Sequence, residues 1–298
     1  MLPFPASHVI SLSERTKKLT PRRAASAKQD YYRSVTRSPL VKTAHSIVDG
    51  VIGVITMNHG KVNALSKVLL DDIVLGLESL DSSPMRVVIL RAAKGAKVFS
   101  AGHDVRELPT NGRDPLTYND PLRQVMRKIE HCPHPVIAMV EGSVWGGACE
   151  LVLGCDVIVA AEDSTFAITP AKLGVPYDIH GTLNLIKVAG MHLLKELLFT
   201  AEPVSVTRLA DCGVINHVVP RADLEDFTMN LARQMARTSP LVLRVLKEEM
   251  RVLANAHPVN PETYERLQAL RREVYDSHDY QEGIRAFLEK RAPAFQGN

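Results

Sequence analysis

"VIAMVEGSVWGGACELVLGCDVIVAAE" (136–162) holds two β-branched apolar runs separated by glycines, the chain's lone tryptophan and a short apolar segment. Short apolar runs bounded by turn residues read as buried strands, so 135–142 and 156–162 are predicted strands. The segment beginning near Gly146 reads as a helix. A strand ending at Val140–Glu141, then glycines, then a helix start would leave backbone N–H groups without intrahelical partners. Those donors and the helix dipole favour negative charge, and glycine lets a ligand approach the backbone closely. Gly146 and Gly147 are therefore candidates for holding a developing oxyanion. On spacing alone, the same glycines also suit a tight strand–helix junction. Glu150 interrupts the apolar run about one turn after Gly147, on a face that it can share with it.

Outward from this stretch the alternation continues. In "AHSIVDGVIGVITMN" (44–58), two β-rich runs flank Asp49-Gly50, a hairpin signal. Ser66 can cap a helix whose Leu69, Leu70, Ile73, Leu77 and Leu80 recur at helical spacing. "RVVILRA" (86–92) reads as a strand covered on both faces. Residues 118–131 read as helix, and "FAIT" (166–169) and "GVINHVVP" (213–220) as strands. From 222 onward the pattern is helical. Strands alternating with helices indicate an α/β architecture, and the helical tail suggests a cap or an oligomer contact. "KVFSAGHDVREL" (97–108) is a second strand-like run ending in a glycine-containing turn. If both turns lie at one sheet edge, an N–H from each can converge on a single oxygen.

Composition narrows the classes. The 298 residues are 45% hydrophobic and 23% charged, as in an ordinary globular protein. No apolar run approaches the ~20 residues of a membrane span. Aromatics are few and the basic residues do not alternate with them, which speaks against nucleic acid as a partner. The net charge of +3 is uneven. Residues 1–40 carry an excess of Lys and Arg, and the remainder is mildly acidic. The tail lacks the apolar core of a secretory signal. It shares some composition with transit peptides, but is read here as a disordered extension or an upstream start. Cys132, Cys149, Cys155 and Cys212 form no C-x-x-C pair and no metal-ligand spacing. No metal site is expected, and a reducing, cytoplasmic location is.

"KVNAL" (61–65), "FSAGHDV" (99–105), "VEGSVWGGACELVLGCD" (140–156), "LGVP" (173–176) and "FLEKRAPAF" (287–295) occur in order, and the chain from about residue 41 resembles the crotonase (enoyl-CoA hydratase/isomerase) superfamily. The resemblance implies an α/β spiral of ββα turns over 41–221, followed by a C-terminal helical trimerisation region over 222–298. It implies a homotrimer or a dimer of trimers (a hexamer). By the same resemblance, the backbone N–H groups of His103 and Gly147 match the family's oxyanion hole for an acyl-CoA thioester. Ala64 and Ala101, with Gly102 and Gly146 beside the amides, match backbone positions near the ligand. Lys61, Phe287 and Lys290 match positions near CoA, the last two often supplied by a neighbouring subunit.

Two departures point to the reaction. Family hydratases use two glutamates; the first matches Glu150, and the second would fall at Pro170, which offers no base. Where relatives carry a glycine-rich run, this chain reads "VPYDIHG" and inserts Tyr177 and His180. These features resemble the branch of the family that decarboxylates methylmalonyl-CoA to propionyl-CoA, in which the matching tyrosine faces the substrate carboxylate. The expected activity is thus a carboxy-lyase working through a thioester enolate. It would need no cofactor, because the thioester carbonyl is the electron sink and coenzyme A is part of the substrate. Trp145, Val175 and Ile179 are expected as apolar walls, and Lys172 as the only cation of 142–156 and 169–182. The competing readings are an enoyl-CoA hydratase or isomerase, and a non-catalytic acyl-CoA- or RNA-binding protein.

Overall fold

Asp49 and Gly50 both take positive φ, 53° and 71°, the backbone that a tight hairpin turn requires. The computed structural model describes residues 43–81, 84–108, 119–177, 179–254 and 261–295; the expected basic extension over 1–40 lies outside them. Along the chain the strands are β1 (Thr43–Val48), β2 (Ile52–Met57), β3 (Val87–Ala92), β4 (Val98–Ser100), β5 (Val136–Val140), β6 (Ser143–Trp145), β7 (Val157–Ala161), β8 (Thr165–Ala167), β9 (Val204–Ser205) and β10 (His217–Val219). The hairpin pairs β1 and β2 antiparallel, and every later pairing in the six-stranded sheet β1-β2-β3-β5-β7-β10 is parallel. A smaller sheet runs β4-β6-β8-β9.

Three successive parallel strands of the large sheet are each followed closely by a short strand of the small one: β3 by β4, β5 by β6, β7 by β8. This is the expected spiral of ββα turns. It also corrects one expectation. The glycines after Val140 are not a single strand–helix junction, because β6 intervenes and pairs with β4 and β8. Three residues between glycines are too few to announce a strand by periodicity, and tertiary pairing decides it.

Period-2 alternation divides the core. On β3, Val88, Leu90 and Ala92 face one apolar cluster, and Val87 and Ile89 face the other. Helices α1 (Lys67–Asp81), α2 (Pro121–Glu130) and α3 (Gly147–Leu153) fill the first cluster, the α1 residues being those that the spacing singled out. Ser66 caps α1 through a hydrogen bond from the Leu69 N–H. Two helices that the hydrophobic pattern does not resolve, α4 (Ile179–Ala189) and α5 (Met191–Thr200), lead to β9 and α6 (Val206–Asp211). In "GVINHVVP", only His217–Val219 pairs as strand. Gly213 (φ 76°) instead closes α6, its N–H donating to the Ala210 carbonyl, as glycine does after a helix. The second cluster is covered by α7 (Leu224–Ala236), through Leu224 and Ala232.

Helix α8 (Pro240–Ala254) is joined to the sheet by Lys247. Its ammonium donates to the Ile129 and His134 carbonyls (3.0 and 3.1 Å) and to Asp156 Oδ2 (2.6 Å). Asp156 in turn accepts the Val136 N–H at the start of β5. The Lys247 side chain is only 13% exposed. Burial raises the Asp156 carboxyl above its ordinary value, against the pull of Lys247. The Asp156 side chain is 29% exposed, so removing Lys247 leaves a charge that water partly screens. Lys247→Ala is expected to cost about 2 kcal/mol, between the surface-pair and buried-pair ranges, read as a shifted urea midpoint. A shift under about 1 kcal/mol, the surface-pair range, would show that α8 docks by other means.

The outer face of α8 is apolar. Leu241, Val242, Val245, Leu246, Met250 and Leu253 are between 45% and 71% exposed. Helices α9 (Pro261–Tyr275) and α10 (His278–Glu289) complete the described chain. Among the described residues no helix is long and apolar enough to cross a membrane.

Candidate active site

Two loops are laced together at one end of the small sheet. The Ala101 N–H donates to the Val62 carbonyl, the Leu65 N–H to the Gly102 carbonyl and the Asp104 N–H to the Leu65 carbonyl. Ser100 Oγ donates to the Asn63 carbonyl (2.7 Å), and Asn63 Nδ2 to the Phe99 carbonyl (3.0 Å). The bridge of Leu65 with His103 runs through residues 102 and 104, so His103's own N–H faces the other way. Gly147 is the first residue of α3, where an N–H has no intrahelical acceptor. Among the described residues, neither the His103 N–H nor the Gly147 N–H donates to a backbone carbonyl.

The two turns meet through glycine. Gly102 has φ 80°, and a Cβ built on it would lie 2.5 Å from the Trp145 carbonyl oxygen and 3.2 Å from the Gly147 nitrogen. Gly146 has φ 52° and ψ −123°, open to glycine but strained for other residues. His103 Nδ1 lies 3.2 Å from where a Cβ on Gly147 would stand. These close approaches account for the glycines around Trp145.

A cavity of about 830 Å³ opens at this meeting point. Of the residues singled out in the sequence, His103, Gly147, Tyr177, Glu150, Ala64, Ala101, Gly146, Trp145, Phe287 and Lys290 line it, with Val175, Pro170 and Lys172. Gly102 does not line it but packs behind the wall, against the Trp145 carbonyl. Lys61 is exposed and does not line the cavity, and neither does Ile179; Ile179 opens α4 and lies outside the wall. The side chain of His180 lies outside the described residues. Phe287 and Lys290 line the cavity of their own chain, because α10 packs against the Pro170–Leu173 turn of the wall. Trp145 is half-buried, with its Nε1–H donating to Ser143 Oγ (2.8 Å).

Glu150 is 6% exposed. Burial raises its pKa, opposed by the charges of Arg123 and His103 and reinforced by Asp120. The Tyr177 hydroxyl oxygen is enclosed and faces Glu150; burial, then the Glu150 charge, push its pKa well above the ordinary phenol value. A Cβ on Gly181 would lie 2.7 Å from Glu150 Oε2 and 2.9 Å from Tyr177 Cε1, so the absence of a side chain there makes room for the pair. His103 Nε2 lies 3.9 Å from Asp120 Oδ2, while its Nδ1 is buried with no partner among the described residues. Asp120 caps α2 through the Leu122 and Arg123 N–H groups, which fixes its carboxylate beside the ring.

Sequence reasoning missed Asp120, Arg123, Arg106 and Gly181. Asp-Pro at 120–121 is a visible helix-start signal, but nothing local ties it to His103. Arg106 lines the cavity and grips Asp104 through two bonds, 2.8 and 2.6 Å, holding that carboxyl below its usual range. Lys172 is likewise engaged, with Glu202 at 2.8 Å.

The family description "Enoyl-CoA hydratase/isomerase" matches residues 48–298. The chain is 54% identical over 248 residues to a protein of Escherichia coli K12 named methylmalonyl-CoA decarboxylase, covering 83% of this chain and 95% of that one. A solved methylmalonyl-CoA decarboxylase in complex with 2-nitronate-propionyl-CoA superposes with a TM-score of 0.84 at 52% identity, over 86% of this chain and 99% of that chain. Another, complexed with 2S-carboxypropyl-CoA, gives 0.84 at 52%, over 86% and 98%.

Proposed function

Since the chain belongs to the enoyl-CoA hydratase/isomerase family, we propose that its cavity binds methylmalonyl-CoA and releases CO2 through a thioester enolate, giving propionyl-CoA. The observation that carries this reading is the meeting of the His103 and Gly147 turns in one cavity, with neither amide donating to a backbone carbonyl among the described residues. Electrons of the C–CO2 bond move to the α carbon and on to the thioester oxygen. Two N–H donors already aimed at that oxygen stabilise the charge without reorganisation. CO2 leaves, the α carbon takes one proton, and the thioester is restored. His103, Tyr177 and Glu150 are the titratable side chains on the wall near that carbon. No cofactor is needed for this sequence of bonds, since the thioester carbonyl accepts the electrons.

Two of the three Lys and Arg side chains described on the cavity wall support the same reading; the third, Lys290, is read as a coenzyme A contact. A carboxylate clamped by a free Arg or Lys would be stabilised before reaction and would resist leaving. Arg106 is committed to Asp104, and Lys172 to Glu202. A hydratase reading lacks its second carboxylate: Pro170 occupies that wall position, and Asp104 is held by Arg106. Separate incubation with methylmalonyl-CoA, malonyl-CoA and crotonyl-CoA, without biotin or added metal, tests the proposal. CO2 and propionyl-CoA are expected from the first. Hydration of crotonyl-CoA with no CO2 from the malonyl esters would overturn it.

Glu150 gives this activity a pH dependence. Its raised pKa keeps it neutral to higher pH than an ordinary carboxyl, so the negative charge develops in the cavity as pH rises through that value. A carboxylate beside a carboxylate-bearing ligand opposes binding by a kcal/mol or more, roughly a tenfold loss of kcat/KM. The loss is expected on the alkaline side in the wild type and absent in Glu150→Gln, which should keep at least about a tenth of wild-type turnover, since amide and neutral acid differ little in charge. Identical pH profiles for the two proteins would remove Glu150 from this role.

The helical region from residue 222 is read as the oligomer contact, forming a trimer or a dimer of trimers. The unpartnered apolar face of α8 supports this. Leu246→Glu is expected to convert the oligomer to monomers in sedimentation; an unaltered mass would place the contact elsewhere. The four free cysteines fit a cytoplasmic setting.

A further inference from the structure

Helix α10 touches the cavity wall backbone to backbone. A Cβ on Gly283 would stand 2.0 Å from the Leu173 carbonyl oxygen and 2.3 Å from its carbon. The contact is reciprocal: Gly174 has φ 65°, and a Cβ there would lie 2.6 Å from the Asp279 oxygen. Leu173 lines the cavity, and the chain runs on from it through Val175 to Tyr177 in the same wall. A second clasp lies one residue away. Glu282, 3% exposed, accepts from Arg291 (2.6 and 2.9 Å), from Arg285 and from the Ala294 N–H (3.0 Å). This carboxylate folds the tail back on α10 and so holds Phe287 and Lys290 at the cavity.

We propose that Gly283 and Glu282 are positioning residues with separate tasks: the Gly283–Leu173 contact sets the wall that gauges the acyl group's 2-substituent, and the Glu282 clasp sets the part that holds coenzyme A. The inference rests on the acyl-CoA reading above. Which partner yields when Gly283 gains a side chain follows from the anchoring. Tyr275 and Tyr280 are 0% and 1% exposed and meet edge to face at 5.2 Å, so α10 is fixed by two buried aromatics. The wall segment is a short 3-10 turn over Pro170–Leu173 held by a few backbone bonds. The wall therefore moves, by about 1 Å to restore contact distance, a displacement that can cost a hundredfold when it misplaces reacting groups.

The test is steady-state kinetics of the full chain with malonyl-, methylmalonyl- and ethylmalonyl-CoA, together with inhibition by free coenzyme A. In Gly283→Ala, the ratio of kcat/KM for methylmalonyl- to malonyl-CoA is expected to change about tenfold or more, with inhibition by coenzyme A within about twofold of wild type. In Glu282→Gln, the inhibition constant of coenzyme A is expected to rise about fivefold with the acyl ratio unchanged. A folded Gly283→Ala protein with the wild-type acyl ratio overturns the proposal. So does equal loss of all substrates and of coenzyme A binding, which is what a merely structural contact would give. If Gly283→Ala does not fold, Glu282→Gln decides alone, and an unchanged coenzyme A constant overturns it. A wild type that turns over none of the three esters sinks the functional reading itself, and this inference with it.

Discussion

Gly147→Pro is expected to lower kcat about a hundredfold, the effect of losing one donor of roughly 3 kcal/mol to a developing oxyanion. The substitution isolates a backbone group that side-chain mutagenesis does not reach. Gly147 is the first residue of α3, where proline is well tolerated and the N–H serves no helical bond. The fold therefore loses little while the cavity loses a donor. Crowding is the confounder: a Cβ at this position would lie 3.1 Å from Leu122 Cδ2 and 3.2 Å from His103 Nδ1. Gly147→Ala carries the same Cβ crowding and keeps the N–H, so the ratio of the two variants removes the Cβ effect and reports the loss of the donor together with the ring Cδ that takes its place. Thermal melts of both should agree closely. If the proline and alanine variants turn over at the same rate, the Gly147 amide does not hold the enolate, and the mechanism built on two converging donors fails.

What the sequence makes legible is what local pattern controls. Asp49-Gly50 announces its hairpin because two successive positive φ angles suit few other residue pairs, and the unbroken apolar run of β3 announces a strand buried on both faces. The glycines around Trp145 announce close backbone approach, although not which backbone. That β6 lies between them depends on pairing with β4 and β8, which sit about 45 and about 22 residues away in the chain. The site divides in the same way. His103, Gly147, Glu150 and Tyr177 stand in motifs whose resemblance places them together. Asp120 heads a visible helix start, and Arg106 and Gly181 stand inside stretches that the sequence already marks, but nothing local ties Asp120 to His103, Arg106 to the cavity wall or Gly181 to Glu150 and Tyr177; only the fold does. Gly283 is the extreme case: its missing side chain is explained by a carbonyl 110 positions earlier in the chain. Lys61 is exposed and does not line the described cavity, since a motif position guarantees neighbourhood in sequence but not a place on the wall.

Tyr177→Phe is expected to slow CO2 release about tenfold to thirtyfold, while the affinity for propionyl-CoA stays within about twofold. The hydroxyl is a neutral donor over the whole working range, because burial and the facing Glu150 hold its pKa well above the ordinary phenol value. Its hydrogen bond to the substrate carboxylate also stabilises that group before reaction, so the rate effect expected here is that of orientation alone, well inside the roughly hundredfold that a misplaced reacting group can cost. The substrate carboxylate is the charged oxygen that the cavity must orient, so that the breaking bond stands perpendicular to the thioester plane; the product has none. Loss of the hydroxyl should therefore spare product binding and slow the step in which the carboxylate leaves. Glu150 supplies the internal check, because the two side chains face each other and their substitutions should not add. If the hydroxyl acts on the substrate, Tyr177→Phe in a Glu150→Gln background still slows single-turnover CO2 release. If its task is only to accompany Glu150, the double variant releases CO2 as fast as Glu150→Gln alone, and Tyr177 leaves the mechanism.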